Sequence, residues 1–404
     1  MGNRYIKTRW HKYSSYLIDR KKAVIVSFIN AIILTLGTYF INNCAMLTGE
    51  NLMVYSGIEF LFGNKEYVND SVLLINTAYD KQIAKKKIKG VPVGNTDVTD
   101  REALIKLLRN LQKMPQDNSY RYIFLDVRFE AGDETAFDDE LFETIANTPR
   151  LVFANHEDIV LASEKLRGKA AYSDYKITLT SNNFVRYEYL RDEGESMPLR
   201  AYRELYHDSI NKCGWLYMCN GKLCQNTHAV RSILKLHDNN YESNNGSSVI
   251  NQHYYQNLNK INNIQSLNVL AKKKYVVIGD MIDDKHDTFF GIIPGSVLVF
   301  SAYWSLKNGD NIVDIWDAVL FFLLFYFISL SLFSRSPIIE KIAWVKKSKS
   351  RLLHFIISFL GYSTVLFLAT IIFYLCFNII SSIWISALYF SIQKAYFTYK
   401  YMKV

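Results

Sequence analysis

The chain has 404 residues, half of them apolar, which allows a sizeable core and one or two globular units. Its 47 basic and 38 acidic residues give a formal net charge of +9. The placement of that charge argues against a nucleic-acid partner: residues 1–22, 334–351 and the tail from Lys394 hold 16 basic and 2 acidic residues, and the rest of the chain is net −5.

Residues 23–42 carry no charged side chain, and about 20 such residues cross a hydrocarbon layer of about 30 Å. The run is long for a signal-peptide core and no small-x-small site follows it, so it reads as an uncleaved anchor after a basic tail, 1–22. Residues 43–312 read as an ordinary globular mixture. Within them Ser71–Ala78 predicts a strand by its β-branched apolar run, and Thr99–Met114 a helix, with Leu104, Leu107, Leu108 and Leu111 on one face and Thr99 or Asp100 as cap. Tyr122–Val127 predicts a strand, Asp138–Ala146 a helix and Leu151–Ala154 a strand. The Asn- and Tyr-rich stretch Asp208–Ile264 reads as irregular. A helix near Ser266–Lys273 and strands at Tyr275–Ile278 and Ser296–Phe300 complete the series. Such alternation predicts an α/β domain with a mixed or mainly parallel sheet flanked by helices.

A second apolar run spans 313–333, centred on Ile315–Phe333, with Asp314 and Asp317 at its entry. These two acids lie at the interface, where hydration is cheap, and read as a boundary. The basic segment 334–351 follows. From Leu352 to Gln393 there is no formal charge, twice the length of one crossing, and a turn near Asn378, Ser381 and Ser382 divides 352–396 into two helices before the tail 397–404. Four crossings put all three basic segments on one side, which the bias of Lys and Arg makes the cytoplasm. The expectation is a four-helix transmembrane region of a plasma-membrane protein, with both termini cytoplasmic and 43–312 periplasmic or extracellular. Cys213, Cys219 and Cys224 match no zinc spacing and leave room for one disulfide, although structural thiols are the simpler reading.

Several motifs together carry a resemblance: LINTAYD ending at Asp80, TDREALIKLL from Thr99, YIFLDVRF with Asp126, DDELFETI from Asp138, LVFA from Leu151 and KKYVVIGDMIDDKHDTFFGIIPGSVLVFSAYWSL from Lys273. This series resembles the second type of CHASE domain, a family of extracytoplasmic sensory domains in bacterial signalling proteins with one helix before the sensor and three after it. The resemblance implies a bacterial extracytoplasmic sensor, an unknown external ligand and a homodimer. The family places a kinase or cyclase domain after the last helix, where this sequence reaches Val404, and a small apolar residue where this sequence has Asp280. Output through a separate cytoplasmic signalling protein is therefore expected, with no catalytic residues, no cofactor, and membrane lipid as the remaining partner.

Asp80 and Asp126 follow strands, and open α/β sheets bind ligands beyond strand C-termini; with Asp280 and Asp287 they are the candidate ligand-binding residues. The alternative is a membrane-anchored extracytoplasmic metal-dependent hydrolase, with Asp280, Asp283, His286 and Asp287 as hard ligands, Asp284 lying among them. Gly279–Asp283 and Asn155–Glu157 resemble the GDxxD and Asn-His-Glu elements of calcineurin-type phosphoesterases, but their order is reversed and Arg128 stands where a ligand belongs. His156 and His286 have no nucleophile beside them in sequence.

Overall fold

The computed structural model describes residues 20–44, 54, 71–156, 160–175, 186–228, 255–261, 264–288, 291–333, 351–377 and 383–402. The basic stretches 1–19 and 334–350, Lys403, Glu157 and the turn at 378–382 lie outside these residues. The chain divides into two compact units, Asn64–Ile312 and a second made of Met1–Gly63 with Val313–Val404.

The strands of the first unit are β1 (Val72–Asn76), β2 (Lys81–Ile88), β3 (Val91–Thr99), β4 (Tyr122–Asp126), β5 (Asp133–Glu134), β6 (Leu151–Asn155), β7 (Ala170–Tyr172) and β8 (Tyr187–Glu188). They continue with β9 (Ile210–Cys213), β10 (Leu216–Cys219), β11 (Lys222–Cys224), β12 (Thr227–His228), β13 (Tyr255–Asn257), β14 (Tyr275–Gly279), β15 (Lys285–Thr288) and β16 (Gly291–Pro294). Six form one sheet in the order β13-β1-β14-β4-β6-β7, and every pairing in it is parallel. A parallel sheet must be covered on both faces, which is why Val72–Ile75 and Tyr122–Leu125 are wholly buried.

The helices are α1 (Arg20–Asn42), α2 (Arg101–Gln112), α3 (Asp138–Asn147), α4 (Met197–Tyr206), α5 (Ile264–Leu270), α6 (Gly295–Asn308), α7 (Ile315–Phe333), α8 (Arg351–Phe377) and α9 (Ile383–Met402). Side chains alternate across each strand, so Leu73, Ile75, Ile123 and Leu125 pack with Leu104, Leu141 and Leu267 of α2, α3 and α5. Val72, Leu74, Tyr122 and Phe124 pack on the opposite face with Leu199 of α4 and Val297 and Phe300 of α6. The neighbouring strands β14 and β4 therefore send their following helices to opposite faces. Open α/β sheets bind ligands at the carboxyl ends of strands whose connections diverge in this way.

Two sequence expectations are corrected. Ser296–Phe300 is not a strand but the start of α6, because a short run apolar all round fits a buried helix as well as a buried strand. The stretch Asp208–Ile264 is not irregular throughout: β9, β10 and β11 form a small antiparallel sheet and β13 edges the main one. No disulfide joins Cys213, Cys219 and Cys224.

In the second unit, α1, α7 and the Phe355–Tyr374 part of α8 are long and apolar enough to cross a membrane. Helix α9 belongs to the same cluster through Ile383, Ala387 and Phe390, but it is not among the segments that qualify by length and apolarity. The exposed side of α1 is Val24, Ile25, Phe28, Ile29, Ile32 and Ile33, while Ser27, Asn30 and Thr38 are buried. A water-facing helix shows the opposite pattern.

Candidate functional site

The carboxyl ends of β1, β14 and β4 stand in one register row of Asn76, Gly279 and Asp126. Asn76 is fully buried and its Oδ1 accepts from the amides of Ala78 and Met281, both at 3.0 Å, which fixes the turns leaving β1 and β14. A Cβ on Gly279 would lie 2.8 Å from Ser296 Cβ and 3.1 Å from the Asp126 carbonyl oxygen. Glycine is thus required for the first turn of α6 to sit against the end of β14.

Asp126, at the end of β4, feels the charges of two histidine-carboxylate pairs. His156 follows β6, and its Nδ1 is 2.8 Å from Asp174 Oδ1. Asp174 is held from behind: Tyr187 hydroxyl donates to the Ser173 carbonyl at 3.0 Å, and Arg191 Nη2 donates to the Asp174 carbonyl. His286 lies on β15, with Nε2 3.0 Å from Asp284 Oδ1 and Nδ1 3.0 Å from the Tyr175 hydroxyl. The carboxylate keeps a proton on Nε2, so the neutral ring accepts from Tyr175 at Nδ1. The β15–β16 hairpin ends at Gly295, whose amide donates to the Asp284 carbonyl at 2.9 Å. A Cβ there would lie 2.4 Å from Asp284 Oδ2 and 2.9 Å from His286 Nε2.

Burial and the nearby Asp284 push the Asp126 carboxyl up to about 7, against the opposing pull of His156 and His286. Burial disfavours charge on His156, but its hydrogen bond to Asp174 and the charges of Asp126 and Asp174 outweigh that and raise it. The hydrogen bond to Asp284 raises His286, with burial opposing. Burial, with Asp284 and Asp287, raises the Tyr175 hydroxyl. Asp126 therefore exchanges its proton near neutrality.

One geometric detail bears on chemistry. Ser173 Oγ lies 3.3 Å from His156, but from the same Nδ1 that meets Asp174. A nucleophile relay needs the hydroxyl on one ring nitrogen and the carboxylate on the other. Ser173 is therefore not a relayed nucleophile on His156. His286 has the relay arrangement, with the Tyr175 hydroxyl on Nδ1 and Asp284 on Nε2.

The residues singled out in the sequence separate into two groups. Asp126 and His286 meet in this centre. Asp280 does not join it: Oδ1 accepts from the amides of Ile282 and Asp283, and Oδ2 meets Lys81 Nζ at 2.8 Å. Burial opposes its charge, yet Lys81 and those amides hold its carboxyl below the ordinary value. Asp80 is buried beyond β1, where Oδ2 accepts from the Asn259 amide at 3.3 Å, and burial raises its carboxyl. Asp283 and Asp287 are exposed. Among the described residues no three His, Cys, Asp or Glu side chains are arranged to hold a metal ion. Asp174 and Tyr175 went unremarked in the sequence because nothing local marks them. His156, which the sequence marks within Asn155–Glu157, joins Asp126 and His286 here, following β6 as Asp126 ends β4.

No family model, curated protein or solved structure matches this chain.

Proposed function

We propose that this chain is a membrane-bound extracytoplasmic sensor or signalling subunit, without catalytic output of its own, acting through a separate cytoplasmic partner. In this reading α1, α7, α8 and α9 are four crossings, both termini are cytoplasmic, and the α/β unit lies outside. The likeness of its motifs to the second type of CHASE domain supports the sensory assignment, and a homodimer fits the same layout. The external signal binds at the strand ends beside Asp126 and changes the packing of α6, whose first turn rests on Gly279. The cytoplasmic partner reads the helix ends or the basic segment 334–351.

The observation that carries this reading is the convergence of Asp126 with the His156–Asp174 and His286–Asp284 pairs at the carboxyl end of a parallel sheet. Such a centre suits reversible binding, because a ligand that changes one proton occupancy changes the charge felt by all five groups. Sidedness is tested on Cys213, which is exposed at the end of β9. In sealed right-side-out vesicles a membrane-impermeant maleimide labels Cys213 of the full-length protein. Labelling of Cys213 in inverted vesicles alone would place the domain in the cytoplasm and reject the reading.

A further inference from the structure

Helix α9 is amphipathic in the sense opposite to a water-exposed helix. Its exposed side is Ile385, Leu388, Ile392 and Tyr396, while Ser386 and Ser391 are almost fully buried and Gln393 is half-buried. A polar group facing hydrocarbon without a partner is costly, and a helix carrying Tyr389, Ser391 and Gln393 enters a bilayer poorly unless these groups are satisfied within the protein.

They are satisfied on one side chain of α1. The Asn30 carboxamide is 4 % exposed. Its Nδ2 donates to Ser329 Oγ on α7 at 2.8 Å and to Gln393 Oε1 on α9 at 3.1 Å. Its Oδ1 accepts from the Tyr389 hydroxyl at 2.5 Å and from Gln393 Nε2 at 2.9 Å. Both hydrogens and both lone pairs of one carboxamide are therefore engaged, and Asn30 and Gln393 form a reciprocal amide pair. The network joins the first apolar helix to the last, across 363 residues of sequence.

We propose that Asn30 is the assembly node of the membrane bundle: α9 crosses the bilayer because its polar side chains pair with Asn30, leaving an outer face of Ile385, Leu388 and Ile392 for lipid acyl chains. Ser391 is satisfied within its own helix, by the Ala387 carbonyl at 2.8 Å, so the groups that need a partner on another helix are Tyr389 and Gln393. Removing Asn30 alone strands those two groups in the bundle. Removing all three together leaves apolar surfaces and the Ser329 hydroxyl, which a helix can satisfy through its own preceding turn, and this is far less harmful than an unsatisfied buried amide. The node rests on the four crossings proposed above.

The test places epitope tags at both ends of the full-length protein and follows their digestion by protease in sealed right-side-out and inverted vesicles. In the wild type both tags are cut in inverted vesicles only. Asn30→Leu leaves the N-terminal tag cut in inverted vesicles only, while the C-terminal tag becomes cut in right-side-out vesicles, because a chain whose last helix does not cross ends on the outer side. The triple variant Asn30→Leu/Tyr389→Phe/Gln393→Leu regains the wild-type pattern. If Asn30→Leu fails to accumulate, recovery of accumulation in the triple variant supports the node equally. A C-terminal tag still cut in inverted vesicles only in Asn30→Leu overturns the node while four crossings stand. A triple variant no better than the single one assigns Asn30 a packing role and also overturns it. Wild-type tags on opposite sides reject the four crossings themselves.

Discussion

Gly279 and Asp126 stand side by side in register at the ends of β14 and β4, and the absent side chain of the first lets Ser296 of α6 approach the carbonyl of the second. The sheet, the helix that covers it and the Asp126 carbonyl therefore meet at a residue with no room for a methyl group. Gly279→Ala is expected to push α6 outward and destabilise the domain by about 1–3 kcal/mol, the usual range for overpacking a filled core. Urea unfolding of the reconstituted protein, followed by tryptophan fluorescence, reads the change as a lower midpoint with an unchanged slope.

Gly295 makes the same demand on the hairpin side. An added Cβ would overlap Asp284 Oδ2 and crowd His286 Nε2, so Gly295→Ala separates the pair. His286 then loses the hydrogen bond that contributes most to raising it, and its titration moves toward the ordinary histidine value. NMR of histidine-labelled protein follows this directly, and an unmoved His286 with a shifted His156 would contradict the assignment of partners.

The Asp126 centre also fixes how stability depends on pH. The folded state holds the Asp126 proton up to about 7, against an ordinary 3.8, so it binds more protons than the unfolded chain across that interval. Stability from this group falls as pH rises between those values. His156 and His286 are both raised, so their contribution is complete below the unfolded value of 6.5 and is lost as pH rises through their folded values. All three act in one direction, and the domain is expected to lose on the order of 2 kcal/mol between pH 5 and pH 8. Asp126→Asn removes the first contribution, which flattens the profile and makes the variant more stable than wild type at pH 8. Urea midpoints at pH 5, 6.5 and 8 check this, and a wild-type profile that rises toward pH 8 would contradict it.

Helix α2 supplies a local test of capping. Asp100 Oδ1 accepts from the Ala103 amide at 3.0 Å as its N-cap, so Asp100→Ala is expected to cost about 1 kcal/mol, seen as a lower urea midpoint.

Periodicity and capping made α2, β1, β4, β6 and α7 legible, because each carries its own signal: a leucine face after Asp100, β-branched runs, or an uncharged apolar span. Helix α6 was not legible, since Val297, Leu298, Val299 and Phe300 are all buried and show no face. Strands β9–β11 are only three or four residues long, too short to show an alternating pattern, and they gain order from pairing with one another. In the site, strand ends pointed to Asp126, and the His-Asp loop pointed to His286. The partnership of His156 with Asp174 depends on β7 pairing beside β6, and that of His286 with Tyr175 joins residues 111 apart, which no local spacing encodes. Asp280 was a ligand candidate beside Asp126, but Lys81 and two amides engage it.

An external binding centre read by a cytoplasmic partner is best tested by purifying the tagged full-length protein from its native membrane in lipid nanodiscs, as wild type and as Asp126→Ala. Bound proteins are identified by mass spectrometry and bound metals by elemental analysis. The expected outcome is a recurrent cytoplasmic signalling protein with the wild type, in altered yield with Asp126→Ala, and no stoichiometric metal. A stoichiometric divalent metal that disappears in His286→Ala, with no cytoplasmic protein retained, would overturn the sensor and make the Asp126 site a hydrolytic centre.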